Sequence, residues 1–315
     1  MEFITILIAL AVEQYYKAVQ QYRQFDWFAS YTDWIRQKSE SLISLFPSAS
    51  GPIALILVLA PVLFVVSFLL NALDNLGVFF SFIATVALFI YSLGPRDIST
   101  DADKYTDALR QGDTEGALLH ANKFFAGHQY NPEFGGSPIE IMELMKRGIL
   151  LAFNNRILAV LCWFILLGPI GALMYRLTIL LLERFAGGYI GTQDLQETDD
   201  SQSDFILAIQ RLNMILGWIP ARLCALTFAL AGTFSETLLC WRCASDFLKE
   251  NNEQLIINSG LKSLKMDTEL SEQVDSLDVT DIDGSDVEQV LGLVRWSLVI
   301  VVTGIALMSI VGWIY

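Results

Sequence analysis

The chain alternates between long apolar runs and polar intervals. Residues 52–70 and 76–93 carry almost no charge, residues 157–182 and 296–315 are nearly as apolar, and residues 212–232 follow the same pattern with Pro220 and Arg222 inside it. Roughly 20 consecutive apolar residues cross the ~30 Å hydrocarbon core of a bilayer as a helix. The pattern therefore predicts an all-α fold: a polytopic helical membrane protein with four or five transmembrane helices. Only Asn71, Ala72, Leu73, Asp74 and Asn75 separate the first two runs, so residues 52–93 read as a transmembrane hairpin.

The other segments have patterns of their own. Residues 1–12 are apolar but too short to span, and only Glu2 precedes the run. They read as a retained short helix that dips into the membrane or packs on the bundle. Tyr15, Tyr16, Tyr22, Phe25, Trp27, Phe28, Tyr31 and Trp34 then suit an interfacial helix, since amphipathic rings favour the headgroup zone, and complete an N-terminal unit over residues 1–51. Within residues 94–148, a helix capped at Ser99 runs to Gln111, Gly112 and Asp113 turn the chain, and residues 114–126 repeat apolar positions at helical spacing, which makes a helical hairpin. Ser137, Pro138, Ile139 and Glu140 form a capping box with proline at the first helical position, starting a helix that continues into the membrane at Arg156. Residues 149–232 are read as the membrane core, 233–294 as an acidic segment with a partly disordered linker, and 295–315 as a C-terminal transmembrane helix.

Basic residues set the expected orientation. Lys17, Arg23, Arg36 and Lys38 lie before the hairpin, Arg96, Lys104, Arg110, Lys123, Lys146 and Arg147 lie after it, and the hairpin turn has none. The positive-inside rule puts residues 1–51 and 94–148 in the cytoplasm. Counting 157–182 and 212–232 as full crossings puts residues 185–205 outside, 233–294 in the cytoplasm and Tyr315 outside.

Composition narrows the function. At 54% hydrophobic and 17% charged residues, an ordinary soluble enzyme is excluded and the lipid bilayer is the expected environment. The net charge of -14 is concentrated in residues 233–294, with 13 Asp and Glu against four Lys and Arg, so nucleic acid is no expected partner. Four cysteines and two histidines offer no disulfide framework and no metal site, and Cys240 and Cys243 read as structural thiols. Asp281, Asp283 and Gly284 are spaced as in a calcium loop, but the first and twelfth positions would be Val279 and Val290, which cannot ligate. Glu143 and Arg147 form an ordinary helical ion pair. No nucleophile with a base, metalloprotease helix, phosphate loop or dinucleotide fingerprint is present, so no catalytic residue and no cofactor is assigned.

Two places combine helix breakers with an arginine inside apolar sequence: Gly168, Pro169 and Gly171 before Arg176, and Gly217 and Pro220 before Arg222. Proline removes a backbone donor and obstructs the carbonyl four residues earlier, so broken helices are expected at Pro169 and Pro220, with the carbonyls of Ile165 and Leu216 weakened. A charged side chain within a span costs at least about 2.5 kcal/mol and calls for a partner. Arg176 either snorkels, pairs with Glu183, or contacts a ligand. Arg211, Trp218 and Arg222 fall on one helical face, a basic stripe with an aromatic that suits a carboxylate, phosphate or lipid headgroup; neighbouring carbonyls are the structural alternative for Arg222.

The strings GPIGALMYR at 168–176 and LNMILGWIPARLCALTFALAG at 212–232, with ALRQGDTEGALLHANKFFAG at 108–127, resemble the AmpE family of bacterial inner-membrane proteins and, more distantly, the CobD/CbiB adenosylcobinamide-phosphate synthases. The resemblance extends over nearly the whole chain and implies an all-helical membrane bundle. In the synthases, which form an amide bond on a corrinoid, acidic segments flank the GPIGALMYR-like string. Here Arg147, Leu151, Ala152 and Asn155 occupy positions where that family has Glu, Glu, Asn and Asp, and Leu182 stands where it has another Asp, so four acids are absent. The AmpE branch implies a non-enzymatic signalling role in β-lactamase induction and muropeptide recycling, with a recycling metabolite or a component of the AmpD pathway as partner. The ligand-binding candidates are Arg176, Arg211, Trp218 and Arg222; the alternative is a membrane-embedded amide-forming synthase.

Overall fold

The computed structural model describes residues 5–9, 25–43, 50–93, 98–126, 138–185, 200–243, 251–266 and 284–311. Among these every regular element is helical. After a helical stretch at 5–9 come α1 (Asp26–Ile43), α2 (Ser50–Leu76), α3 (Val78–Ser92), α4 (Ile98–Arg110), α5 (Thr114–Ala126) and α6 (Pro138–Phe153). A π-helical turn (Asn154–Leu158) leads into α7 (Ala159–Phe185), followed by α8 (Asp200–Ala231), α9 (Phe234–Cys243), α10 (Asn252–Ser263) and α11 (Ser285–Ile310). Four helical stretches are long and apolar enough to cross a membrane: Ser50–Leu76, Pro138–Phe185, Asp204–Ala231 and Ser285–Ile310. The all-α, multi-pass architecture is as expected.

Helix α8 is the spine. Phe205, Ala208 and Ile209 pack into a core with Phe25, Phe28, the first turns of α2 and Leu173 to Leu182 of α7. Leu216 belongs to a middle core with Phe89, Phe164 and Ile305. Ala221, Cys224 and Phe228 enter a third core with α4, α5, α6, α10 and the start of α11. Ile6 and Ala9 are buried in the middle core, as suits a helix packed on the bundle. At the third core α4 is fastened to α11 by Arg110 to Glu288 at 2.6 Å and Arg295 to Asp103 at 3.0 Å.

Several details differ from the sequence reading. Helix α2 does not stop at residue 70: Asn71 donates back to the Ser67 carbonyl, and the hairpin turns at Gly77, whose φ of 133° is open to glycine. Ser99 lies inside the first turn of α4. Asp113 caps α5 instead, its carboxylate accepting from the Gly116 amide at 2.9 Å. Pro220 does not break α8, which runs through it.

The expected topology also needs correction. Ser50 donates to the Asp204 carboxylate at 2.6 Å, and Gly51 packs so closely on the Asp204 carbonyl that a Cβ there would clash. The starts of α2 and α8 therefore share one end of the bundle and cannot lie on opposite membrane faces. Arg36, whose guanidinium stacks on Phe185 and Phe205, and Arg184, paired with Asp33 at 2.7 Å, fasten α1 to the same end. Residues 15–24, the capping Ser137, 186–199, the acidic run 267–283 and Tyr315 lie outside the described residues, as do the side chains of Cys240 and Cys243.

Candidate functional site

Two residues set the geometry of α7. Gly168 adopts φ 69° and ψ -162°, a region essentially reserved for glycine, and Pro169 has no amide proton to continue the helix. The result is a sharp reversal. The Tyr175 hydroxyl donates to Asn155 Oδ1 at 3.1 Å across 20 residues, a separation of about 30 Å in an unbroken helix. The arms 159–167 and 169–185 thus form a V, with Leu166 and Leu167 exposed near its apex. Gly171 rests against the Trp163 carbonyl, where a side chain has no room.

The interior of the V is polar. The π-helical turn inserts an extra residue into the helix and carries Asn154, Asn155 and Arg156, all buried. Asn154 Nδ2 donates to Asn155 Oδ1 at 2.7 Å, so that oxygen accepts from both Asn154 and Tyr175. Asn154 Oδ1 is buried and has no hydrogen-bond partner, as is true of Nε and Nη1 of Arg176. Arg176 is only 2% exposed, which excludes snorkelling; its guanidinium stands 5.7 Å from the Phe25 ring centroid. Buried Glu183 feels the charge of both Arg176 and Arg156, but no ion pair between Glu183 and Arg176 closes among the described residues. Each orphaned buried polar group costs about 1–3 kcal/mol, so stability alone does not account for this arrangement.

The second arginine faces differently. The Leu216 carbonyl, released by Pro220, accepts from Trp163 Nε1 at 3.0 Å, which is why α8 continues unbroken. Arg222 lies 4.8 Å from the Trp218 ring centroid and donates to Asn252 Oδ1, while Asn252 Nδ2 donates to the Met214 carbonyl at 2.9 Å. Gly217 leaves room for that amide, since a Cβ would come within 3.1 Å of it. Trp218 is 42% exposed and Arg211 is exposed: the stripe looks outward, and only its Trp218 and Arg222 members are in contact. Arg176 belongs to the V.

The first turn of α10 adjoins both places. Glu253 follows Asn252 and is half-buried; burial pushes its carboxyl up to about 7, and its charge reaches Tyr175. Asn154, Tyr175, Asn252 and Glu253 were not among the sequence candidates. The first was discoverable: Asn154, Asn155 and Arg156 are three successive polar residues inside an apolar stretch, not at its edge. The other three depend on a fold-back and a packing that no local pattern announces. Among the described residues no three His, Cys, Asp or Glu side chains gather where they could hold a metal ion.

Comparison with known proteins gives a consistent result. The family model described as "Regulatory signalling modulator protein AmpE" matches residues 1–314. The chain is also similar to two proteins named "Cobalamin biosynthesis protein CobD". It is 27% identical to that of Chromobacterium violaceum over 58% of this chain and 54% of the relative. It is 25% identical to that of Stutzerimonas stutzeri over 63% of this chain and 59% of the relative. The chain therefore spans little more than half the length of the curated relatives it matches. No solved structure matches it.

Proposed function

The chain belongs to the AmpE family, and from that premise we propose that it is a regulatory protein of the bacterial inner membrane, coupling β-lactamase induction to cell-wall recycling through an anionic ligand held inside the V of α7. The observation that carries this reading is Arg176: a guanidinium sealed in protein, with Nε and Nη1 lacking acceptors, is a cation prepared for an anion. The test is genetic. In a strain with an inducible β-lactamase, deleting the gene alters the response to inducer, and Arg176→Gln, present in the membrane at the normal level, fails to restore it. An unchanged response in the deletion strain counts against the regulatory role.

A second reading draws on the CobD relatives: an amide-forming synthase embedded in the membrane. Arg147, Leu151, Ala152, Asn155 and Leu182 stand where that resemblance calls for its acidic stretches. Glu183 on the V itself and Glu253, with its raised carboxyl affinity for a proton, are acids that could act in their place. Rescue of a cobalamin-synthesis mutant by this chain would favour the synthase over the regulator.

A further inference from the structure

Arg176 is sealed as well as short of acceptors, so a ligand reaches it only if part of the fold moves. From outside α7, the ring of Phe25 at the head of α1 closes over the guanidinium, with 5.7 Å between Cζ and the ring centroid. Phe28, one turn further on, is buried in the same core as Leu173, Leu177 and Leu181 of the arm that carries Arg176. Helix α1 therefore covers that arm. The helices around it are held in different ways. Gly51 of α2 meets the Asp204 carbonyl of α8 so closely that no Cβ fits between them, and Ser50 bonds to the Asp204 carboxylate. Helix α1 is fastened by side chains at its rim: Asp33 pairs with Arg184, both of them exposed, and Trp27 Nε1 donates to the Tyr91 hydroxyl at 2.8 Å. An exposed ion pair adds little stability, so such a latch releases readily.

Resting on the reading of the V as an anion site, we propose that α1 is the gate of that site: it lifts from the 169–185 arm, withdraws the Phe25 ring and opens a path to the Arg176 guanidinium. Burial of Phe25 and Phe28 keeps the closed form dominant. An anion that pairs with Arg176 only in the open form draws the population toward it. Trp27 and Trp34 are exposed and, seven residues apart, share one helical face. Such rings favour the headgroup zone and keep α1 at the membrane surface while its buried edge lifts.

The motion is tested without a ligand, in the full chain in nanodiscs and in a background without the native cysteines. Leu177 under α1 and Ile149 in the third core are both fully buried; each is changed singly to cysteine and its rate of reaction with N-ethylmaleimide is measured. Asp33→Ala should speed labelling of Leu177→Cys about 2- to 5-fold, the range that an exposed ion pair carries, and leave Ile149→Cys unchanged. No change at Leu177→Cys, or an equal rise at both positions, overturns the gate. Its role is tested in cells with Asp33→Cys and Arg184→Cys joined by a membrane-permeant bifunctional methanethiosulfonate. The joined protein should give no response to inducer until a reductant cuts the link, whereas the cysteine-free chain responds throughout. Loss of the response in Arg176→Gln together with a normal response in the joined protein keeps the anion site and rejects the gate. The reverse pattern keeps a moving α1 and rejects Arg176 as the group it uncovers.

Discussion

Glu253 is the residue whose chemistry is most exposed to measurement. Its carboxyl is held at about 7 in the folded protein against about 4.3 for an unperturbed glutamate, because half-burial at the start of α10 penalises the charge. A raised value means that the folded chain binds more protons than the unfolded chain between those limits. Stability is therefore full below about 4.3 and falls as pH rises through 7. Glu253→Gln should flatten this dependence and raise stability at pH 8 by about 1–3 kcal/mol, measured by thermal unfolding in detergent at a series of pH values; an unaltered pH profile would refute the assignment. Arg222 makes the opposite prediction. Its bond to Asn252 ties α8 to α10, so Arg222→Ala should destabilise the fold by about 1–3 kcal/mol through the unpaired Asn252 oxygen. Arg222→Lys, lacking the planar fork, should recover only part of that loss. Equal melting temperatures for the alanine variant and the parent would make Arg222 a surface anchor.

At the scale of elements, the two prolines teach different lessons from the same local signal. Both were legible in the sequence as helix breakers, yet only Pro169 sits at a break, because Gly168 before it takes a conformation that other residues resist. Pro220 releases the Leu216 carbonyl just as expected, but Trp163, more than fifty residues earlier, supplies the missing donor. That rescue is a tertiary event, and helical periodicity holds no trace of it. Trp163→Phe should keep the packing while orphaning the carbonyl, at about 1–3 kcal/mol, with a matching drop in melting temperature; no drop would show that α8 passes through Pro220 without needing the indole. Gly168→Ala should cost about 1–3 kcal/mol through backbone strain. The α4–α5 hairpin, in contrast, was readable almost to the residue, since Gly112 and Asp113 carry their turn and cap chemistry locally. The candidate site is readable only in half: Arg176 and the run Asn154 to Arg156 stand out as polar among apolar residues, whereas the bond of Tyr175 to Asn155 is brought by the fold-back.

For the whole molecule, apolar runs indicate how many helices are available to span, but not which ends meet. The orientation read from basic residues counts 157–182 as a full crossing, with a break at Pro169, and so separates residue 51 from residue 205 by a membrane. The V replaces that straight helix, and the hydrogen bond between Ser50 and Asp204 ties the two helix starts together, together with the nearby stacking of Arg36 on Phe185 and Phe205. An arrangement with these ends on opposite faces would have to span about 30 Å of hydrocarbon with a contact of 2.6 Å. Cysteines introduced as Ser50→Cys and Asp204→Cys should therefore be joined by a short bifunctional thiol reagent in native membranes. Taken singly in a background without the native cysteines, each should react with a membrane-impermeant maleimide from the same face. The two measurements fail differently: crosslinking without same-face labelling would point to contact between copies of the chain, and labelling from opposite faces without crosslinking would restore the topology read from basic residues and reject the packing of α2 on α8.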